Sequence, residues 1–236
     1  MTDLALEMDE RPEMKRGLVR GWLEAASIFL LMPIGGILGG LSGFPPLVAI
    51  SSVVLPLLAA TFYLRREGTT WRSLTFGDRL TVPKLIAYAA AALATTALVV
   101  IGINSLLQMA GMPPADISMF EALLKDNFTM YLWLLIPVAW GSAAIGEELL
   151  ARGFLLHRFE GMHGTASAVI LQAAVFAGAH FYQGLTGVLT IFGLALVFGF
   201  VYLRSGRNLL PLIIAHGLID TFSLTMIYLG HGDKLV

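Results

Sequence analysis

Apolar stretches near residues 22–42, 44–64, 82–111, 130–156, 164–182, 187–203 and 209–229 divide the chain into lengths close to the roughly 20 residues that a helix needs to cross a bilayer. In hydrocarbon every backbone N–H and C=O must be satisfied within the segment, so stretches of this kind cross as helices. Hydrophobic residues make up 57% of the chain, charged ones only 13%, and the mean hydropathy is +0.78, far from the range of soluble domains. The sequence therefore predicts an all-α, polytopic transmembrane bundle of about seven spans. Eight is the alternative, if the long 82–111 stretch with Gly102 is a span followed by an interfacial helix.

The first two stretches are divided by Ser42-Gly43-Phe44-Pro45-Pro46, and Pro33 and Pro56 are expected to kink their helices. Basic residues fall in alternate connections: Arg11, Lys15, Arg16 and Arg20; then Arg65, Arg66, Arg72, Arg79 and Lys84; then Arg152 and Arg158; then Arg204 and Arg207. The opposite side receives only Lys125 and Lys234, so the positive-inside rule places the N-terminus in the cytoplasm and, with seven spans, the C-terminus outside. The acidic first twenty residues, with Asp3, Glu7, Asp9, Glu10 and Glu13, do not read as a cleaved signal. The expected organisation is a cytoplasmic tail over 1–20, N-terminal transmembrane helices over 21–129, a core over 130–229 and a short tail over 230–236. The connection 112–129 is the longest outer loop.

Charge and cysteine content remove several function classes. A formal net charge of −1 supplies no basic surface for nucleic acid. With no cysteine, disulfides, thiolate metal sites and a cysteine nucleophile are excluded.

Ionisable groups inside the apolar stretches carry the chemistry, because a charge in lipid costs several kcal/mol and persists where it has work to do. Glu147 and Glu148 lie in Gly146-Glu147-Glu148-Leu149-Leu150-Ala151-Arg152, and later stretches bring Phe176-xxx-His180 and His216-xxx-Asp220. Neighbouring helical residues point about 100° apart, whereas i and i+4 share a face. Glu148 and Arg152 are thus expected to pair, which leaves Glu147 free to face a cavity. His216 and Asp220 share a face of their helix; Gln172, Phe176 and His180 share another. Gly141, Ser142, Ala143, Ala144, Gly146 and Gly178 read as close-packing positions.

These three motifs, in this order, resemble the CAAX-protease and bacteriocin-processing (CPBP, or Abi) intramembrane proteases, which include the type II CAAX prenyl proteases. The resemblance covers about residues 130–225; the N-terminal third carries none of it. It implies an endopeptidase acting on membrane-associated peptides or protein tails, with Glu147 and His180 activating a water and His216 and Asp220 stabilising the oxyanion. Glu148 and Arg152 would hold the helix and position Glu147. A base buried among apolar groups works near neutral pH, as this chemistry needs. Asp220 fits only if it is protonated, orients His216 through the ring's other N–H, or binds a metal. Glu147, His180, His216 and Asp220 form a chemically reasonable set for a divalent ion such as zinc. The family has been described both as metalloproteases and as metal-free glutamate proteases, and the spacing here matches no compact zinc motif, which favours the metal-free form.

Other intramembrane protease types fit poorly. There is no His-Glu-xx-His; Gly40-Leu41-Ser42-Gly43 places a rhomboid-like serine in the first connection, far from His216; and the Gly-Asp pairs at 77–78 and 232–233 lie outside the spans. A proton-coupled transporter is the alternative from another class, and it would spread its acids and histidines across the membrane instead of gathering them round one water. A non-catalytic scaffold or bacteriocin-immunity protein of the same fold is a third reading. The expected partners are membrane lipid and a peptide or protein substrate with a membrane-associated segment, and the short loops suit a bacterial cytoplasmic (inner) membrane. Depth counting poses a difficulty: from ends at Arg158 and Asn208, Glu147 and His216 lie roughly 12–17 Å in, but His180 is roughly 24 Å from Gly164. Strong tilt, or an elbow at 161–164 set within the membrane, would be needed to bring them together around a cytoplasm-facing cavity.

Overall fold

A computed structural model describes the backbone of residues 2–235 and the side chains of residues 17–235. The chain folds as α1 (Thr2–Gly40), α2 (Pro45–Arg66), the short α3 (Trp71–Thr75), α4 (Val82–Met109) and the short α5 (Ser118–Leu124). There follow a continuous α6 (Phe128–His163), α7 (Thr165–Gly178), a 3-10 turn (Phe181–Gln183), α8 (Gly184–Arg204) and α9 (Leu210–Tyr228). The expected tail 1–20 is the beginning of α1. Among the described residues there is no strand, only a single bridge from Phe76 to Asn208.

Six of these helices are long and apolar enough to cross a membrane: α1 over Gly17–Gly40, α2, α4, α6, α8 with its preceding turn, and α9. The fifth expected stretch, 164–182, is the exception. Its helix ends after 14 residues at Gly178, about 21 Å at 1.5 Å per residue. The bundle is thus the one the hydropathy implies, with six full spans and a shorter seventh helix. The 82–111 stretch forms one helix of 28 residues, which removes the eight-span alternative.

Small residues set the closest approaches. A methyl group on Gly35 or Gly39 would stand 2.2 Å from a backbone oxygen of α2, so the first hairpin is closed by glycine against backbone. At the end where the arginines gather, four ion pairs form a ring. Arg20 bridges Glu24 and Glu67 at 2.8 Å each, and Arg158 bridges the same two carboxylates at 2.8 and 2.7 Å. That ring ties α1 and the end of α2 to α6. The buried core below it is Phe154, Leu155, Leu156, Phe159, Phe198, Tyr202, Leu212 and Ala215, from α6, α8 and α9. The loop after α3 then fixes where α9 starts: Asn208 Nδ2 donates to Asp78 O at 3.0 Å, and Leu209 N to Thr75 O at 2.9 Å.

α6 holds the motif with two glutamates and is π-helical over Leu134–Glu147 and Leu149–Leu155, with Pro137 inside. π-helical geometry is rare and is frequent at functional sites when it occurs. α6 runs on to His163 before Gly164, at φ 77°, turns the chain into α7. Sixteen residues separate Glu147 from His163, and sixteen separate Gly164 from His180. The depth conflict came from ending α6 at Arg158. With the elbow at Gly164 the two arms are equal in residue count, and the count no longer opposes bringing the glutamates and His180 together.

Candidate active site

Glu148 and Arg152 are fully buried and joined at 2.9 Å, as the i,i+4 spacing requires. The guanidinium lies between two rings, its carbon 4.9 Å from the Phe176 centroid and 5.2 Å from that of Phe198. Its Nη2 donates to Ala195 O at 3.2 Å, an oxygen that also accepts from Gln172 Nε2 at 3.1 Å. Residues from α6, α7 and α8 thus clamp one charge whose geometry cannot wander.

The contact that helical spacing does not announce is between Glu148 and His216. His216 Nδ1 is 2.9 Å from Glu148 Oε1, the same oxygen that takes Arg152. A carboxylate only accepts, so this bond puts the ring proton on Nδ1 and turns Nε2 outwards. Nε2 then faces Glu147 Oε2 at 4.0 Å and Asp220 Oδ2 at 3.7 Å. The two glutamates were expected to point apart, with Glu148 serving helix register. The imidazole instead bonds Glu148 through Nδ1 and turns Nε2 towards Glu147, so Glu148 orients His216. Asp220, at 3.7 Å, is outside hydrogen-bond range of the ring and does not do so.

His180 caps the far end of α7. Its Nδ1 is 2.8 Å from Phe176 O, so in the neutral ring Nδ1 donates and Nε2 is free. The Phe176 ring touches both histidines, 4.9 Å from His180 and 6.4 Å from His216 between centroids. The structure therefore gathers Glu147, Glu148, Arg152, His216 and Asp220 directly and brings His180 alongside through Phe176. Trp140 packs against the same helix as His216: its Nε1 donates to Thr221 at 3.1 Å, and its ring stands 2.6 Å from where a Gly217 methyl would be.

Residues 129–222, from the first turn of α6 to the middle of α9, match the family model described as type II CAAX prenyl endopeptidase Rce1-like. This stretch is an Rce1-like domain. It contains all six candidate residues, and the match supports an intramembrane endopeptidase embedded in a membrane by apolar helices. No curated protein and no solved structure matches the chain.

Among the described residues no group of three or more His, Asp or Glu side chains is placed to hold a metal ion. His216 Nδ1 is taken by Glu148 and His180 Nδ1 by a backbone carbonyl, which leaves Nε2 of each ring as its available nitrogen. Two cavities, of about 430 and 470 Å³, open at the arginine-rich end beside Trp22 and His163 and beside the Arg20–Glu24–Glu67–Arg158 ring. Neither is lined by a candidate residue. One contributor escaped sequence reasoning: Phe198 bears no local mark, since its role comes from facing Arg152 across helices.

Proposed function

We propose that the protein hydrolyses peptide bonds of membrane-associated peptides or protein tails with a water activated by Glu147, without a step through a metal. The supporting observation is the gap bounded by Glu147 Oε2, His216 Nε2 and Asp220 Oδ2. Separations of 4.0 and 3.7 Å are too long for direct hydrogen bonds and suit one bridging water. Glu147, with a side chain one-fifth exposed, can meet that water, whereas Glu148 is sealed beneath it.

In this reading Glu147 takes a proton from the water, and its oxygen attacks the peptide carbonyl carbon. His180 shares the water through Nε2, since its Nδ1 hydrogen is spent on Phe176. The carbonyl π electrons move to oxygen, and the His216–Asp220 pair faces that oxyanion. The pair donates only while it holds one proton between Nε2 and Oδ2, because Glu148 already claims the Nδ1 hydrogen. Collapse breaks the C–N bond, and the proton held by Glu147 passes to the leaving amine. Glu148 acts through His216, and Arg152 through Glu148.

Gathering these groups round one small gap supports a hydrolase over a proton-coupled transporter, whose relay would be strung along the membrane normal. Substrates with a membrane-associated segment fit a site set among apolar helices, and the short loops suit a bacterial cytoplasmic membrane. The test is cleavage of a fluorogenic panel of C-terminal tails and leader peptides by purified protein. Glu147→Ala is expected to lower cleavage by about 10³-fold, and wild-type cleavage is expected to persist with a chelator present. Chelator sensitivity restored by zinc would overturn the metal-free mechanism.

A further inference from the structure

The mechanism lacks a hydrogen-bond donor that does not depend on a shared proton. A developing oxyanion requires one nearby. His216 in its neutral form has spent its N–H on Glu148, Asp220 as a carboxylate repels negative charge, and Thr221 donates to Gly217 O at 2.6 Å. Trp140 Nε1–H is directed to Thr221.

Resting on the endopeptidase reading, we infer that Tyr182 is a further catalytic residue, its phenolic O–H donating to the oxyanion from the His180 side of the site. The 3-10 turn begins directly after His180 and turns Tyr182 back, so that the two rings lie 6.0 Å apart and tilted by 32°. Gly184, at φ 75°, then sends the chain away into α8. The Tyr182 hydroxyl accepts from Gln183 Nε2 at 3.2 Å and has no acceptor of its own among the described residues, so its proton is free. Tyr182 is 48% exposed and the neighbouring Phe181 78%, so the turn forms a rim that a bound peptide would touch. A donated bond from Gln183 polarises the phenol and makes it a better donor. No proton leaves the tyrosine: the oxyanion forms, is bonded by O–H, and collapses as the C–N bond breaks.

Tyr182→Phe keeps the ring and its pairing with His180 and removes only the oxygen. The expected result is a kcat loss of about 10²–10³-fold with KM little changed, as for removal of one oxyanion donor. Affinity for a peptide carrying a phosphinate at the scissile carbonyl should fall by a similar factor, while affinity of the Glu147→Ala background for the uncleaved peptide stays the same. Gln183→Leu should give a smaller kcat loss in the same direction. An unchanged melting temperature keeps the comparison free of folding effects. Equal kcat and equal phosphinate affinity in wild type and Tyr182→Phe, with Glu147→Ala inactive, would overturn the assignment of Tyr182 and leave the endopeptidase standing. Cleavage that survives Glu147→Ala, or is absent from wild type, would overturn the Glu147 mechanism and the role of Tyr182 with it.

Discussion

Replacing Arg152 by Met tests whether the buried Glu148 carboxylate depends on its guanidinium. Met fills much of the same volume between Phe176 and Phe198 but removes the 2.9 Å bond to Glu148, the 3.2 Å bond to Ala195 O and two cation–π contacts at 4.9 and 5.2 Å. With Glu148 and Arg152 both wholly buried, breaking the pair leaves an uncompensated charge, at a cost of about 3–5 kcal/mol. For a chain of this length that corresponds to a fall in melting temperature of about 10 °C. The double variant Glu148→Gln/Arg152→Met carries no buried charge there and should recover more than half of that loss, because replacing both partners of a buried pair costs little. Yet it should stay inactive, since glutamine's amide cannot fix the His216 tautomer as a carboxylate does. Thermal unfolding in detergent, read alongside peptide cleavage, gives both numbers. If the double variant melts as low as Arg152→Met alone, the stranded charge is not the cause and the argument fails.

Other expectations follow from the same geometry. Gly217→Ala places a methyl 2.6 Å from the Trp140 ring; overpacking should cost about 1–3 kcal/mol and slow cleavage, with Trp140→Phe partly restoring it in the double variant. Arg158→Ala opens the four-membered ion-pair ring and removes the guanidinium over Phe154, and faster proteolysis of the α1–α2 hairpin than in wild type should report it. Asp116 accepts from Ser118 N at 2.9 Å and Oγ at 2.6 Å, which holds its carboxyl below the usual carboxylate range. The start of α5 is therefore stabilised above about pH 4 and loses that contribution as pH falls through the lowered value; Ser118→Ala should raise the Asp116 titration seen by NMR, and an unmoved titration would count against the cause.

The sequence by itself determined the all-helical membrane class, because roughly twenty-residue apolar stretches leave the backbone few other ways to satisfy its hydrogen bonds. It also determined which residues carry charge into the bundle, and the Glu148–Arg152 pair, since i,i+4 contacts are fixed by helical pitch alone. Only the tertiary structure decided that Glu148 belongs to His216, 68 residues away, because which nitrogen meets which oxygen depends on the packing of α6 against α9. The same holds for Phe198 over Arg152. The path that leads the chain to His180 likewise depended on where α6 ends and where Gly164 turns it. Periodicity along one helix is local and readable; the register between helices is set by small residues, ring contacts and buried ion pairs acting together, and no single stretch of sequence contains it.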